Sequence, residues 1–194
     1  RSRIDPSHAQ VPEPMRERED RLMMMDLLLH AADISSPTKP PAVFKLWAER
    51  VLEEFFLQGD QEKANDMEVS PMMDRDKADL PNLQMGFIEF VVSPLYFGMA
   101  RLFPDMAGCL DAMLENHEVY RALKEEEIRA QGGDAAEAEV AKLREKAAGL
   151  AAKVRNLQEL RSKTGKSNQH QVGKEDEGKK EEQLDRMEAG AGGQ

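Results

Sequence analysis

The sequence predicts an all-α fold: part of a multi-helix bundle, then one amphipathic helix, then a polar tail. Three observations predict it. Apolar residues recur at spacings of three and four along most of the chain to about residue 131. No segment carries the period-two alternation of a half-buried strand. The periodic stretches are punctuated by Ser-Ser-Pro, Pro-Pro, Gly59, Pro94, Pro104 and Gly132-Gly133, residues that start, stop or bend helices.

Taken in order, residues 1–15 are a polar lead-in broken by prolines, and a bundle segment spans 16–131. Its first helix covers about Arg16 to Ala32. Asp26, His30 and Asp33 fall at i, i+4 and i+7 and so share one stripe. Leu22, Met23, Met25, Leu27, Leu28 and Leu29 cover the other faces, and a helix so apolar is expected to be buried. A carboxylate there is costly unless a cation or donors meet it, although the stripe also reads as a plain solvated face.

Ser35-Ser36-Pro37 breaks that helix, because proline disfavours α geometry in the residue before it. Pro40-Pro41 starts the next helix, whose stripe Phe44, Trp47, Val51 and Phe55 reads as core and runs to about Gln58, with Gly59 as its stop. Residues 60–81 form a long irregular connection of charges and methionines, a length that compact domains seldom keep without a use. A strongly apolar helix follows from about Asn82, with Gln84 near its start and a kink expected at Pro94. Another helix begins after Pro104 and ends at Gly132-Gly133.

Residues 134–161 change character. Val140, Leu143, Ala147, Leu150, Val154 and Leu157 make an a/d heptad stripe, which suits either a coiled-coil partner helix or a single amphipathic helix. Residues 162–194 have too few apolar side chains to offset the entropy of ordering and are expected to be disordered.

Composition narrows the classes of function. The chain has 194 residues, 40% hydrophobic but only 5% aromatic, so its core leans on Leu, Met, Ala and Val. A net charge of −10 excludes a duplex nucleic-acid binder or a polybasic membrane anchor, which need clustered positive charge. The single cysteine, Cys109, excludes an intrachain disulfide framework and a cysteine-rich zinc site, and fits a reducing, cytoplasmic setting. No apolar run approaches the roughly 20 residues of a membrane span, and no signal-type stretch opens the chain. The chain begins without Met, which processing, trimming or truncation would each explain.

Four blocks in order, HAADISSPTKP, AERVLEEFFLQGD, MEVSPMMDR and LQMGFIEFVVSPLY, resemble the later part of the catalytic domain of class I 3′,5′-cyclic-nucleotide phosphodiesterases, over about residues 21–123. The resemblance implies roles. Asp33 matches the aspartate that closes the family's binuclear metal site, where a divalent ion would meet its carboxylate. His30, one turn earlier, is expected to support that ligand rather than bind the ion. Gln84 matches the glutamine whose amide hydrogen-bonds the purine. Phe87 matches the aromatic residue that stacks on the base, Val51 the aliphatic residue on its other face, and Met72 lines the mouth. The family's cofactors are two divalent ions, zinc and either magnesium or manganese, and its reaction is metal-assisted hydrolysis of cAMP or cGMP to the 5′-nucleotide, with a histidine protonating the departing 3′ oxygen.

The sequence departs from the family at one decisive point. The His-rich motifs that hold the other ligands and the general acid lie upstream of the HxADIS block in the family, and the four histidines here, His8, His30, His117 and His170, form no such motif. The chain is therefore expected to carry the purine-binding half of the site and to be inactive alone. Ser36 stands where relatives often place a base-contacting residue, which leaves cAMP against cGMP open. The competing reading is a non-catalytic scaffold derived from a phosphodiesterase, associating through 134–161.

Overall fold

The computed structural model describes residues 17–160 of the chain, and the expectations for 1–15 and 162–194 lie outside that range. Among the described residues every regular element is helical, as the periodicity predicts: α1 (Arg18–Asp33), α2 (Pro41–Ala64), α3 (Leu80–Phe87), α4 (Ser93–Leu102), α5 (Ala107–Gln131) and a sixth helix, α6, over residues 136–160. A single 3₁₀ turn, Ser36–Thr38, joins α1 to α2, and a π-turn, Ile88–Val92, joins α3 to α4.

The expectation that α1 is buried is overturned. Only Ala31 on it is buried, while Met23 and Met25 are each 63% exposed and Leu29 is 72% exposed. Leu22 and Leu28 are exposed with them, while Leu27 alone of its leucines packs against the core cluster.

The stripe assigned to α2 is displaced by a row. The buried positions are Phe44, Ala48, Leu52, Phe56 and Gly59, a run of i+4 and i+3 steps. Trp47 and Val51, one row over, are 50% and 41% exposed. Phe44 meets Tyr120 of α5 edge to face, with ring centroids 5.6 Å apart.

Gly59 does not end α2 either, because the helix continues to Ala64. Glycine is required there by the connection that follows: a Cβ at residue 59 would collide with the backbone carbonyl of Met73. That connection is held against α2 by polar contacts. Glu62 accepts from the Ser70 N–H at 2.7 Å and from its hydroxyl at 2.8 Å, and Lys63 bridges Asp74 and Asp76 at 2.6 and 2.9 Å. Arg75 pairs with Glu53 and Asp60 and lies over the Phe56 ring.

Leu80–Leu102 forms one long helix, and by length and composition it could cross a membrane, contrary to the reading that no such segment exists. In this fold it is a core element: Ile88, Val92 and Met99 are 0–1% exposed. The disturbance expected at Pro94 takes the form of the π-turn just before it. Proline brings no N–H to the carbonyl four residues back. The Ser93 N–H bonds the Ile88 carbonyl, five residues back, and the Ser93 hydroxyl donates to the Glu89 carbonyl at 3.0 Å.

α5 packs against α3 and α4 and ends at Gly132, whose φ of 69° is the left-handed geometry glycine adopts without strain. α6 then folds back. Val140, Leu150 and Val154 are buried at 1%, 6% and 1% exposure, and Leu143 and Leu157 pack against the core cluster. The heptad stripe thus packs against this chain's own core, as the single-helix reading of 134–161 expects. Arg144 closes the arrangement on Glu125 of α5 at 2.6 Å.

Candidate functional site

Two ends of the bundle carry the candidate residues. At the first, α1 terminates in His30-Ala31-Ala32-Asp33, with the Ile34 N–H bonding the His30 carbonyl at 3.2 Å. Asp33 is the last residue of the helix, and both it and His30 are exposed, so the carboxylate is not the buried group that an apolar α1 suggested. The turn after it is tightly bonded. The Thr38 N–H and hydroxyl both donate to the Ser35 carbonyl, at 2.9 and 2.8 Å, and Pro37 and Thr38 are buried.

Two residues that sequence reasoning did not single out hold this end. The Tyr96 hydroxyl, from α4, donates to the Ala31 carbonyl at 2.7 Å. Burial raises the Tyr96 phenol above its ordinary range, so it stays a protonated donor. The Asn116 amide, from α5, donates to the Pro37 and Lys39 carbonyls, each at 2.7 Å. The buried face of α5 also carries His117, Lys124 and Glu125, so one more polar residue there gave no separate signal for Asn116.

The second end is the start of the core helix. Asp79 caps α3 by accepting from the Asn82 N–H at 3.1 Å, and Lys124 of α5 pairs with the same carboxylate. Burial pushes Asp79 up, but the Lys124 ammonium and the Asn82 N–H outweigh it and leave the carboxyl below its usual range. Gln84 follows, 7% exposed, and half-buried Phe87 closes α3 against the core cluster. Glu89 in the π-turn faces His117 of α5, 2.9 Å from its Nε2, and Lys146 of α6. His117, read from sequence only as a histidine outside any motif, is thereby a structural partner of the π-turn.

Val51 stands on the exposed row of α2, and Met72 is 62% exposed with a φ of 67°, unusual for a residue with a side chain. Met72 lines a cavity of about 440 Å³ with Val69, Asp74, Lys77, Asn82 and Leu83. His30 borders a shallow groove along α1 with Leu22, Met23, Asp26 and Leu27. Neither contains Asp33, Gln84, Phe87 or Val51.

For a metal the donor set does not suffice. Among the described residues no three His, Cys, Asp or Glu side chains stand together to hold an ion. Asp33 offers one hard oxygen donor, and affinity for a divalent ion comes from the assembled ligand set. No chemical step can be routed through a metal held by these residues alone.

Comparison with known proteins agrees with the four blocks. A family model described as 3′5′-cyclic nucleotide phosphodiesterase matches residues 2–113, more than half of the chain. The chain is 43% identical over 105 residues to 3′,5′-cyclic-AMP phosphodiesterase, isoform F, of Drosophila melanogaster, covering 54% of this chain and 16% of that protein. It is 38% identical over 104 residues to 3′,5′-cyclic-AMP phosphodiesterase 4C of Mus musculus, covering 53% and 15%. The solved structure of LmjPDEB1 in complex with IBMX superposes with a TM-score of 0.54 at 35% identity, covering 56% of this chain and 33% of that one. The chain spans about a sixth of the length of these curated relatives. α6 lies beyond the matched residues. The chain belongs to the 3′,5′-cyclic-nucleotide phosphodiesterase family.

Proposed function

We propose that this chain forms the base-recognising part of a phosphodiesterase domain that hydrolyses a 3′,5′-cyclic nucleotide to the 5′-nucleotide in signal transduction. Gln84 reads the purine edge, Phe87 and Val51 face its two sides, Met72 lines the entrance, and Asp33 gives one carboxylate to the metal centre, with His30 beside it. The relatives' names favour cAMP, and cGMP is the other candidate. Zinc and magnesium or manganese would be held chiefly by residues outside this sequence, and the 194-residue chain alone has no turnover. The reading fits a cytoplasmic enzyme.

One observation carries it: Gln84 and Phe87 occur in order on one short helix, within residues that match the family model. An amide and an aromatic ring three residues apart on one helix supply a donor, an acceptor and a flat apolar face, which is what a purine needs.

The experiment begins by reading the coding sequence ahead of Arg1 and expressing the protein with whatever His-bearing segment it encodes. Metal-dependent release of 5′-AMP from cAMP is expected there and not from the 194-residue chain. In that longer protein Asp33→Ala abolishes turnover, and Gln84→Ala raises KM more than it lowers kcat, because base contacts lie far from phosphorus. Full activity of Asp33→Ala, or an unaltered KM in Gln84→Ala, would overturn the assignment.

A further inference from the structure

The turn between α1 and α2 has carbonyls that neither helix can bond, because helix breaks leave such groups orphaned. Two of them, on Pro37 and Lys39, are met by one side chain, the Asn116 amide of α5, at 2.7 Å each. Asn116 is 1% exposed, and its own Oδ1 is buried with no hydrogen-bond partner among the described residues. An unpaired buried acceptor is costly, and such a group calls for an explanation in what the rest of the side chain does. An aliphatic residue of the same volume would fill the space without that cost, but it could not donate twice.

We propose that Asn116 is a positioning residue for the nucleotide site: its amide holds the Ser35–Lys39 turn, and with it Asp33 on one side and the start of α2 on the other. The inference rests on the base-recognising role proposed above. The turn follows Asp33 closely and contains Ser36. α2, which starts directly after the turn, carries Val51. Tyr96 holds the α1 side of the same turn through the Ala31 carbonyl, so α4 and α5 each place one donor on the segment. Loss of the Asn116 donors leaves both carbonyls unbonded and frees the turn to shift, while the packing of α3 against α5 does not depend on them.

The test uses the full 194-residue chain with two variants. Asn116→Leu keeps the branched outline and the number of side-chain heavy atoms, and removes the orphaned oxygen together with the donors. Asn116→Asp keeps the shape and loses both donors. By hydrogen exchange, the amides of residues 34–39 are expected to exchange about tenfold faster in both variants, while those of α3 and α5 keep their protection. Titration with 5′-AMP, followed by the fluorescence of half-exposed Trp47, the chain's single tryptophan, is expected to show about tenfold weaker binding in both variants. Asn116→Leu should nevertheless stay folded, because removal of the orphaned Oδ1 offsets part of the loss of the two donors. Unchanged exchange in the turn overturns the proposal, as does faster exchange spread evenly over all helices. So does wild-type AMP affinity in the variants. Failure of the wild-type chain to bind AMP counts instead against the base-recognising reading, and the exchange pattern then decides the role of Asn116.

Discussion

Replacing Gly59 by alanine poses a sharp question, because two effects of known size oppose each other. In an open helix interior, Gly→Ala stabilises by about 1 kcal/mol, since glycine loses the most backbone freedom on folding. At residue 59 the new methyl meets the backbone carbonyl of Met73, which cannot rotate aside as a side-chain tip would. Overpacking of this kind costs about 1–3 kcal/mol. Relief requires moving the 65–79 connection away from α2, which would also stretch the Lys63–Asp74 and Glu62–Ser70 contacts. The net expectation is a loss of up to about 2 kcal/mol, or a fall in Tm of up to about 8 °C for a chain of this size. Gly149→Ala on α6 is the internal control, because nothing lies within 4 Å of a Cβ there, and it should raise Tm by about 2–4 °C. Thermal unfolding followed by circular dichroism on the two variants reads the sign directly. If Gly59→Ala were as stabilising as Gly149→Ala, the close approach of the connection to α2 would be refuted.

The same connection should release in acid. Hydrogen bonds from Lys63 hold Asp74 down to about 2, against an ordinary value of 3.8, so its stabilising contribution is complete above pH 3.8 and fades as pH falls toward 2. Protection of the 65–79 amides, taken relative to free peptide at the same pH, should fall across that window in wild type and be already low at neutral pH in Asp74→Asn; constant protection in wild type would deny the bridge. Leu150→Ala should cost about 2–4 kcal/mol in urea unfolding because it opens a cavity under α6, and a loss below about 0.5 kcal/mol would mean that α6 does not pack. If the proposed function holds, then in a protein extended with an upstream His-bearing segment Asp33→Ala and Gln84→Ala should separate loss of turnover from loss of substrate affinity, measured as kcat and KM.

How much of this was legible in the sequence depends on which interactions are local. Helix existence was legible, because periodicity and the proline and glycine breaks are local signals, and α1 to α5 fall close to where spacing puts them. Gly59 was misread because a helix stop and a close-approach glycine look alike in sequence; only the carbonyl arriving from Met73, fourteen residues on, tells them apart. The α2 stripe was misplaced by a row because Phe44, Trp47, Val51 and Phe55 and the neighbouring row Phe44, Ala48, Leu52 and Phe56 are both apolar at spacings of three and four, and spacing alone does not choose between them. Asp33, Gln84, Phe87, Val51 and Met72 came from matching blocks of sequence, not from geometry. Asn116 and Tyr96 escaped notice because their partners are backbone carbonyls 65 to 79 residues away, which leave no trace in side-chain pattern.

The π-turn at Ile88–Val92 has a consequence for how the long central helix can vary. One additional residue in a helical rod turns everything downstream by about 100°. The face bearing Gln84 and Phe87 and the face bearing Tyr96 and Met99 therefore have independent angular settings, with the wide turn acting as the phase offset between them. Deleting a single residue there would leave a regular helix of nearly the same length, yet swing the Tyr96 hydroxyl off the Ala31 carbonyl and uncouple the end that bears Gln84 from the turn next to Asp33.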